Sequence, residues 1–193
     1  MKAPDPRGLL TGDVVDVAPR LLGWHLETAF DGLTTAIVIT EVEAYRSAGD
    51  PASHAYRGPT RRNASMYEAA GTLYVYRSYG IHWCANVVTG PAGDASAVLI
   101  RGGRVVLGID RMRERRGRAD HLVDGPGKLC AALGITGADD GSSLFDGPVR
   151  LLGNRPAGDF TIEATPRIGI SRATRRPWRF VARPGDGSSL APT

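Results

Sequence analysis

Residues 24–45 read WHLETAF, DG, LTTAIVITEVEAY, and this stretch constrains the fold more than any other part of the chain. Two runs rich in β-branched and aromatic residues flank Asp31-Gly32, a dipeptide suited to the positive backbone angles of a tight hairpin turn. The stretch therefore predicts two antiparallel strands. The second begins as a buried apolar run and ends with Glu41, Glu43 and Tyr45 on one face, because alternate residues of a strand share a face.

Upstream, Asp13 before VVDVAPRLLG is placed as a helix N-cap, with Asp16 as a weak capping partner, Gly23 as the stop and Pro19 shortening the helix. Downstream, residues 46–70 are small and polar without a period, a loop long enough to be either functional or disordered. Strand signals return in TLYVY (72–76), HWCANVV (82–88) and AVLIRG (97–102), followed by helical segments at 108–118 and 127–134. The tail from Gly185 is expected to fray. No repeat or linker divides the chain, so the expectation is one α+β domain with strands dominating its middle.

The 193 residues, 42% of them hydrophobic, suffice for one core of ordinary size. No run of about 18 apolar residues and no signal-like start occurs, which makes the cytoplasm the expected compartment, without a membrane. Cys84 and Cys130 are far apart and outside any CxxC spacing, so buried thiols are expected and neither a structural zinc nor a cysteine-held cluster. The net charge is +4, a modest lean toward a polyanion. Of the 24 basic residues only Lys2 and Lys128 are lysine; a GC-rich genome explains that bias as well as phosphate binding does.

Several residues have the chemistry of a site. Glu41 and Glu43, side by side on a strand, would repel, raising the pKa of at least one, as suits a general base. On spacing alone, two structural ion pairs with arginine are the stronger reading. His54 lies in the irregular loop and has no metal-site pattern around it, so no metal is assigned. GPGKL at 125–129 has neither the glycine spacing nor the Ser or Thr of a phosphate loop. Tyr74 and Tyr76 share a strand face, which is commonly core packing. Arg77-Ser78, however, imply that the chain reaches solvent at Tyr79, and a tyrosine exposed beside a turn suits a wedge or stacking residue.

From about Asp13 to Pro184 the motifs TEVEAY, DPASHAYRG with the following Thr60 and Arg62-Asn63, GTLYVYRSYGIHWCANVV, VLIRG and GPGKLCAALGI occur in order. This series resembles the alkyladenine (3-methyladenine) DNA glycosylases of the mammalian type. The resemblance implies a curved, mainly antiparallel β-sheet core with surrounding helices. It also implies excision of alkylated or deaminated purines, such as 3-methyladenine, hypoxanthine and ethenoadenine, from double-stranded DNA by base flipping, leaving an abasic site. Glu43 would be the general base activating water, and Arg101 would help to hold that water. Tyr45 and Tyr76 would sandwich the flipped base beside His54, Asn86 would clash with the 2-amino group of guanine, and Tyr79 would fill the gap in the duplex. Thr60, Arg62 and Met66 would contact DNA. No cofactor is implied, and a monomer is expected.

The chain departs from the family pattern at YRSAGD, where Gly-Pro is commoner after the tyrosine, and at Tyr67, where Phe is commoner. The first departure bears on the shape of the pocket loop. Two rivals remain: a nucleic-acid-binding module without catalysis, and a glycoside hydrolase built on Glu41 and Glu43. Against the second, carboxylates about 6–7 Å apart on one strand face do not easily flank a sugar.

Overall fold

The Asp31-Gly32 hairpin forms as expected, with positive φ at both turn residues and β1 (His25–Phe30) paired antiparallel to β2 (Leu33–Tyr45). The computed structural model describes residues 6–153 and 160–185; most of the tail expected to fray lies outside them. Around β2 a curved antiparallel sheet is assembled from β3 (Leu73–Ser78), β4 (His82–Thr89), β5 (Ser96–Leu107), β6 (Val149–Leu152), β7 (Phe160–Thr165) and β8 (Arg179–Pro184). The strand order is β3-β4-β5-β2-β1-β6, and β8 joins β2 while carrying β7 at its side.

Two short helices, α1 (Pro6–Leu10) and α2 (Val14–Val17), precede the sheet, and α3 (Ile109–Arg116) and α4 (Pro126–Leu133) follow β5. Asp13 caps α2, its carboxylate accepting from Val15 N at 2.9 Å. Pro19 ends the α-helix early: Ala18–Leu21 tighten into a 3₁₀ turn, and Gly23, with φ of 84°, turns the chain into β1. The helix expected across 13–23 is therefore a single turn followed by this 3₁₀ segment. Strands β6 to β8 were not anticipated. β6 is only four residues long, and its alternation becomes meaningful only against its partner β1.

The pairing of β2 with β5 is broken where the site lies. Ile39 pairs with Gly103, Glu41 with Gly102 and Val42 with Ile100, so Thr40 is extra on β2 and Arg101 is extra on β5. Such bulges bend a strand and re-aim a side chain. Here the result is that Arg101 crosses over the two glutamates of β2. β5 comes close to β2 at this point: a Cβ on Gly103 would lie 2.8 Å from the Val38 carbonyl oxygen and 2.6 Å from Ile37 Cδ1.

The main core lies between the sheet and the helices, and includes Leu21, Leu26, Ile37, Ile39, Ile100, Met112 and Leu133. A second, smaller cluster of Ala55, Met66, Tyr74, Val88, Ala95 and Ala97 lies under residues 46–70. That segment is ordered. Residues Arg61–Tyr67 form a 3₁₀ helix, and the buried Asn63 ties the loop together, donating to the carbonyls of His54 at 3.0 Å and Gly58 at 3.2 Å. Both cysteines are free and buried, as expected.

Because a Cβ at Gly103 would press on Ile37 and the Val38 carbonyl, Gly103→Ala is expected to destabilise the fold by about 1–3 kcal/mol, measurable as a lowered guanidinium midpoint with an unchanged m-value.

Candidate active site

At the open side of the sheet, β3, β4 and β5 meet the 46–70 loop and residues 168–172 around a cavity of about 660 Å³, within the range usual for small-ligand sites. Tyr45, His54, Arg62, Met66, Tyr76, Tyr79, Asn86 and Arg101 all line it. These residues come from four separate parts of the chain.

Tyr76 stands on β3 next to Tyr74, their ring centroids 5.5 Å apart. Tyr74 is core, as its position on a strand suggests, whereas Tyr76 turns a partly open ring to the cavity. His54 meets the Tyr76 ring edge-on at 4.5 Å, and its Nδ1 shares a 2.9 Å hydrogen bond with the Tyr74 hydroxyl. Partial burial of the imidazole, together with the charge of Arg62, holds its pKa below the ordinary histidine value. The neutral form of the His54 ring is thereby favoured. Asn86, on β4, donates from Nδ2 to the carbonyls of Tyr74 at 2.9 Å and Cys84 at 3.4 Å, which locks its side chain at the cavity wall.

Tyr79 occupies the tip of the β3–β4 hairpin. It is 87% exposed, and both it and Gly80 have positive φ, the sense that matches the twist of the flanking strands. Left-handed backbone costs a non-glycine residue about 1–2 kcal/mol, yet the ring it holds out makes no use of the core. Arg62 reaches from the 3₁₀ turn to the Arg77 carbonyl at 3.0 Å, with its guanidinium 5.7 Å from the Tyr76 ring centre.

Glu43 lies behind the cavity wall, with 0% exposure. Its Oε2 accepts from the Tyr45 hydroxyl at 2.7 Å and lies 3.4 Å from Arg101 Nη1, while Oε1 accepts from Ile168 N at 2.8 Å. Burial and the adjacent Glu43 push the Tyr45 phenol well above its ordinary range, so it stays a proton donor. Glu41 Oε1 accepts from Arg101 Nε at 2.8 Å and from Arg179 Nε at 2.7 Å. Burial alone would raise the Glu41 pKa, but the bonds from Arg179 and Arg101 outweigh it and the net shift is downward. The repulsion expected to raise a carboxyl is thus overcome at Glu41, which is a structural ion pair holding Arg101. On Arg101 burial works against the charge, but Glu43 and Glu41 outweigh it and raise its pKa further.

Of the residues implied as DNA contacts, Met66 is buried and Thr60 lies at the surface. Met66 is 1% exposed and packs with Ala55 and Tyr74, so it backs the cavity wall and is no part of the outer surface. Thr60 is exposed, but its N–H and hydroxyl both go to Asn63 Oδ1, at 2.6 and 2.9 Å, capping the 3₁₀ turn. The sequence reading missed Ile168 and Arg167, whose partners lie more than a hundred residues away. It also missed Asn63, although the motif containing it was noted. Asp50-Pro51 was the one visible signal, a turn-forming pair at the start of the loop.

The comparisons with known proteins point one way. The family model described as Methylpurine-DNA glycosylase (MPG) matches residues 9–185. A putative 3-methyladenine DNA glycosylase of Frankia casuarinae is 49% identical, over 92% of this chain and 88% of its own. Proteins of the same name from Granulibacter bethesdensis and Methanoculleus marisnigri are each 49% identical over 91% of this chain, covering 82% and 93% of their own.

The lowered pKa of His54 fixes the sign of its pH dependence. The fold favours the neutral ring, so this contribution to stability is complete above the unfolded value, about 6.5, and is lost as pH falls through the lower folded value. NMR titration of the ring should give a midpoint below that of a free histidine, and Arg62→Met should move it upward.

Proposed function

Since the chain belongs to the methylpurine-DNA glycosylase family, we propose that it is a monofunctional DNA glycosylase. It flips alkylated or deaminated purines, of the 3-methyladenine, hypoxanthine and ethenoadenine class, out of duplex DNA and hydrolyses the N-glycosidic bond. One observation carries the reading: a cavity walled by Tyr45, His54 and Tyr76 has a Glu43–Arg101 pair at its back and an outstretched Tyr79 at its mouth.

Extruding a nucleotide costs a few kcal/mol, least where the base is damaged, and stacking on an aromatic ring returns about 1–3 kcal/mol per base. Tyr45 and Tyr76 offset extrusion, and Tyr79 occupies the space the base has left. His54 offers Nε2 to the purine edge. Asn86 excludes guanine by shape, because its tether to the β3 and β4 carbonyls prevents it from yielding to a 2-amino group.

For the chemical step, an ionised carboxylate offers about four acceptor sites, and three donors reach Glu43. The remaining site, on Oε1, is the one left for the attacking water, and because Glu43 is fully buried that water reaches it only when the wall formed by Tyr45, Arg101 and Ile168 gives way. As water attacks C1′ and the purine departs with the bonding pair, Glu43 takes the proton and its charge stabilises the oxocarbenium-like sugar. A cationic alkylated purine leaves readily, whereas a neutral lesion depends more on hydrogen bonds to the ring. The protein acts as a monomer in the cytoplasm, without metal or cofactor.

Incubation with a duplex carrying one hypoxanthine or ethenoadenine should release the free base in the presence of EDTA. Glu43→Gln should bind that duplex but lose at least about 10²-fold in excision rate; normal excision by this variant would refute the role of Glu43. Binding without any release by the parent would instead favour a non-catalytic module.

Strand cleavage by a glycosylase needs an amine for a Schiff base. Lys128 is committed to Asp124 at 3.0 Å and lies outside the cavity lining. Borohydride should trap no covalent complex, and Lys128→Ala should leave base release unchanged.

A further inference from the structure

Arg167 lies behind the cavity wall, and three hydrogen bonds hold its guanidinium. Its side chain and that of Asp50 are both 0% exposed. Nη1 donates to Asp50 Oδ2 at 2.6 Å and to the Ala44 carbonyl at 2.9 Å, and Nη2 donates to Asp50 Oδ1 at 2.7 Å. The guanidinium also lies 4.6 Å from the Tyr45 ring centre and 5.1 Å from that of Trp178. Its Nε is buried without a partner.

We infer that Arg167 is a positioning residue: through Ala44, Tyr45 and Asp50 it sets the base-stacking ring, the Glu43 carboxylate and the start of the pocket loop in one geometry. The inference rests on the glycosylase reading and deepens it. Ala44 lies between Glu43 and Tyr45, so holding its carbonyl fixes the strand at both functional residues. The guanidinium backs one face of Tyr45 and leaves the other for a base. The next residue, Ile168, caps Glu43 through its N–H. Asp50 in turn accepts from Ala52 N at 3.3 Å and from Arg46 N at 3.4 Å, anchoring the loop that carries His54.

Energetics support this assignment. A buried ion pair is expensive to desolvate and is often no more stabilising than apolar residues in its place. The pair is therefore a poor source of stability, whereas a rigid planar fork is a good source of geometry. Excision is sensitive to such geometry, since a displacement of about 1 Å can cost about 10²-fold in rate.

The test is the double variant Asp50→Asn/Arg167→Met, which removes both charges together, so that no buried ion is left unpaired. It should remain folded by circular dichroism and bind a lesion duplex within about threefold of the parent, while its maximal single-turnover excision rate falls about 10- to 100-fold. In a Glu43→Gln background, ethenoadenine emission, which responds to stacking, should change on binding with Arg167 present and change far less in the double variant. A folded double variant with parental excision and parental emission change would overturn the inference. Should that variant not fold, Arg167→Lys retains a charge opposite Asp50 but lacks the planar face, and parental behaviour there would overturn it equally. A parent that shows the emission change without releasing base would refute the catalytic reading and leave the positioning role supported.

Discussion

The bulge that places Arg101 opposite Glu41 and Glu43 is the arrangement from which the rest of the site follows. An uninterrupted ladder would pair Arg101 with a β2 backbone group like any other strand residue. With one extra residue on each strand, its guanidinium bridges two carboxylates that would otherwise repel. Arg179 from β8 takes up the second demand of Glu41. Glu41 is thereby held by two arginines, whereas Glu43 is bound by Tyr45, Arg101 and Ile168 N and, on the proposed reading, keeps one acceptor site for water. Two residues of the same type on the same face thus have different surroundings, set by their partners.

The aromatic residues divide in a similar way. Tyr74, Tyr76 and Tyr79 lie within six positions, but the first is core, the second walls the cavity and the third projects from the hairpin. Their separation follows from strand geometry and its end. Tyr74 and Tyr76 share a face at period two, and the left-handed turn at Tyr79 and Gly80 breaks that alternation. The Tyr74 hydroxyl still serves the cavity, because it holds His54 at Nδ1. The pocket loop, despite its departure from the family pattern at 46–50, is held by Asn63 inside and by Asp50 against Arg167. Arg46, a residue of that departure, pairs with Asp13 at 2.6 Å, so the altered loop start is tied to the helix cap.

Much of the fold was legible in the chain. The hairpin at Asp31-Gly32, strands β3 to β5, the Asp13 cap and helices α3 and α4 all carry local signals: turn dipeptides, period-two alternation, capping residues and positive-φ glycines. Strands β6 to β8 were not legible, since short or exposed strands are defined by what they pair with. The same holds within the site. Glu43, Tyr45, His54 and Arg101 were named through motifs, but Arg167, Ile168 and Arg179 act through residues more than a hundred positions away. Met66 is implied as a DNA contact by the motifs but is buried, because motif order does not report depth.

By itself the sequence determined which residues have the chemistry, which segments are strands or turns, and the family whose motifs they compose, because these depend on side-chain type and near-neighbour spacing. The tertiary structure alone decided which glutamate is pinned by two arginines, which tyrosine is core, and what stands behind the Tyr45 ring. Those outcomes depend on burial and on partners brought together from distant segments, and neither is encoded in local spacing.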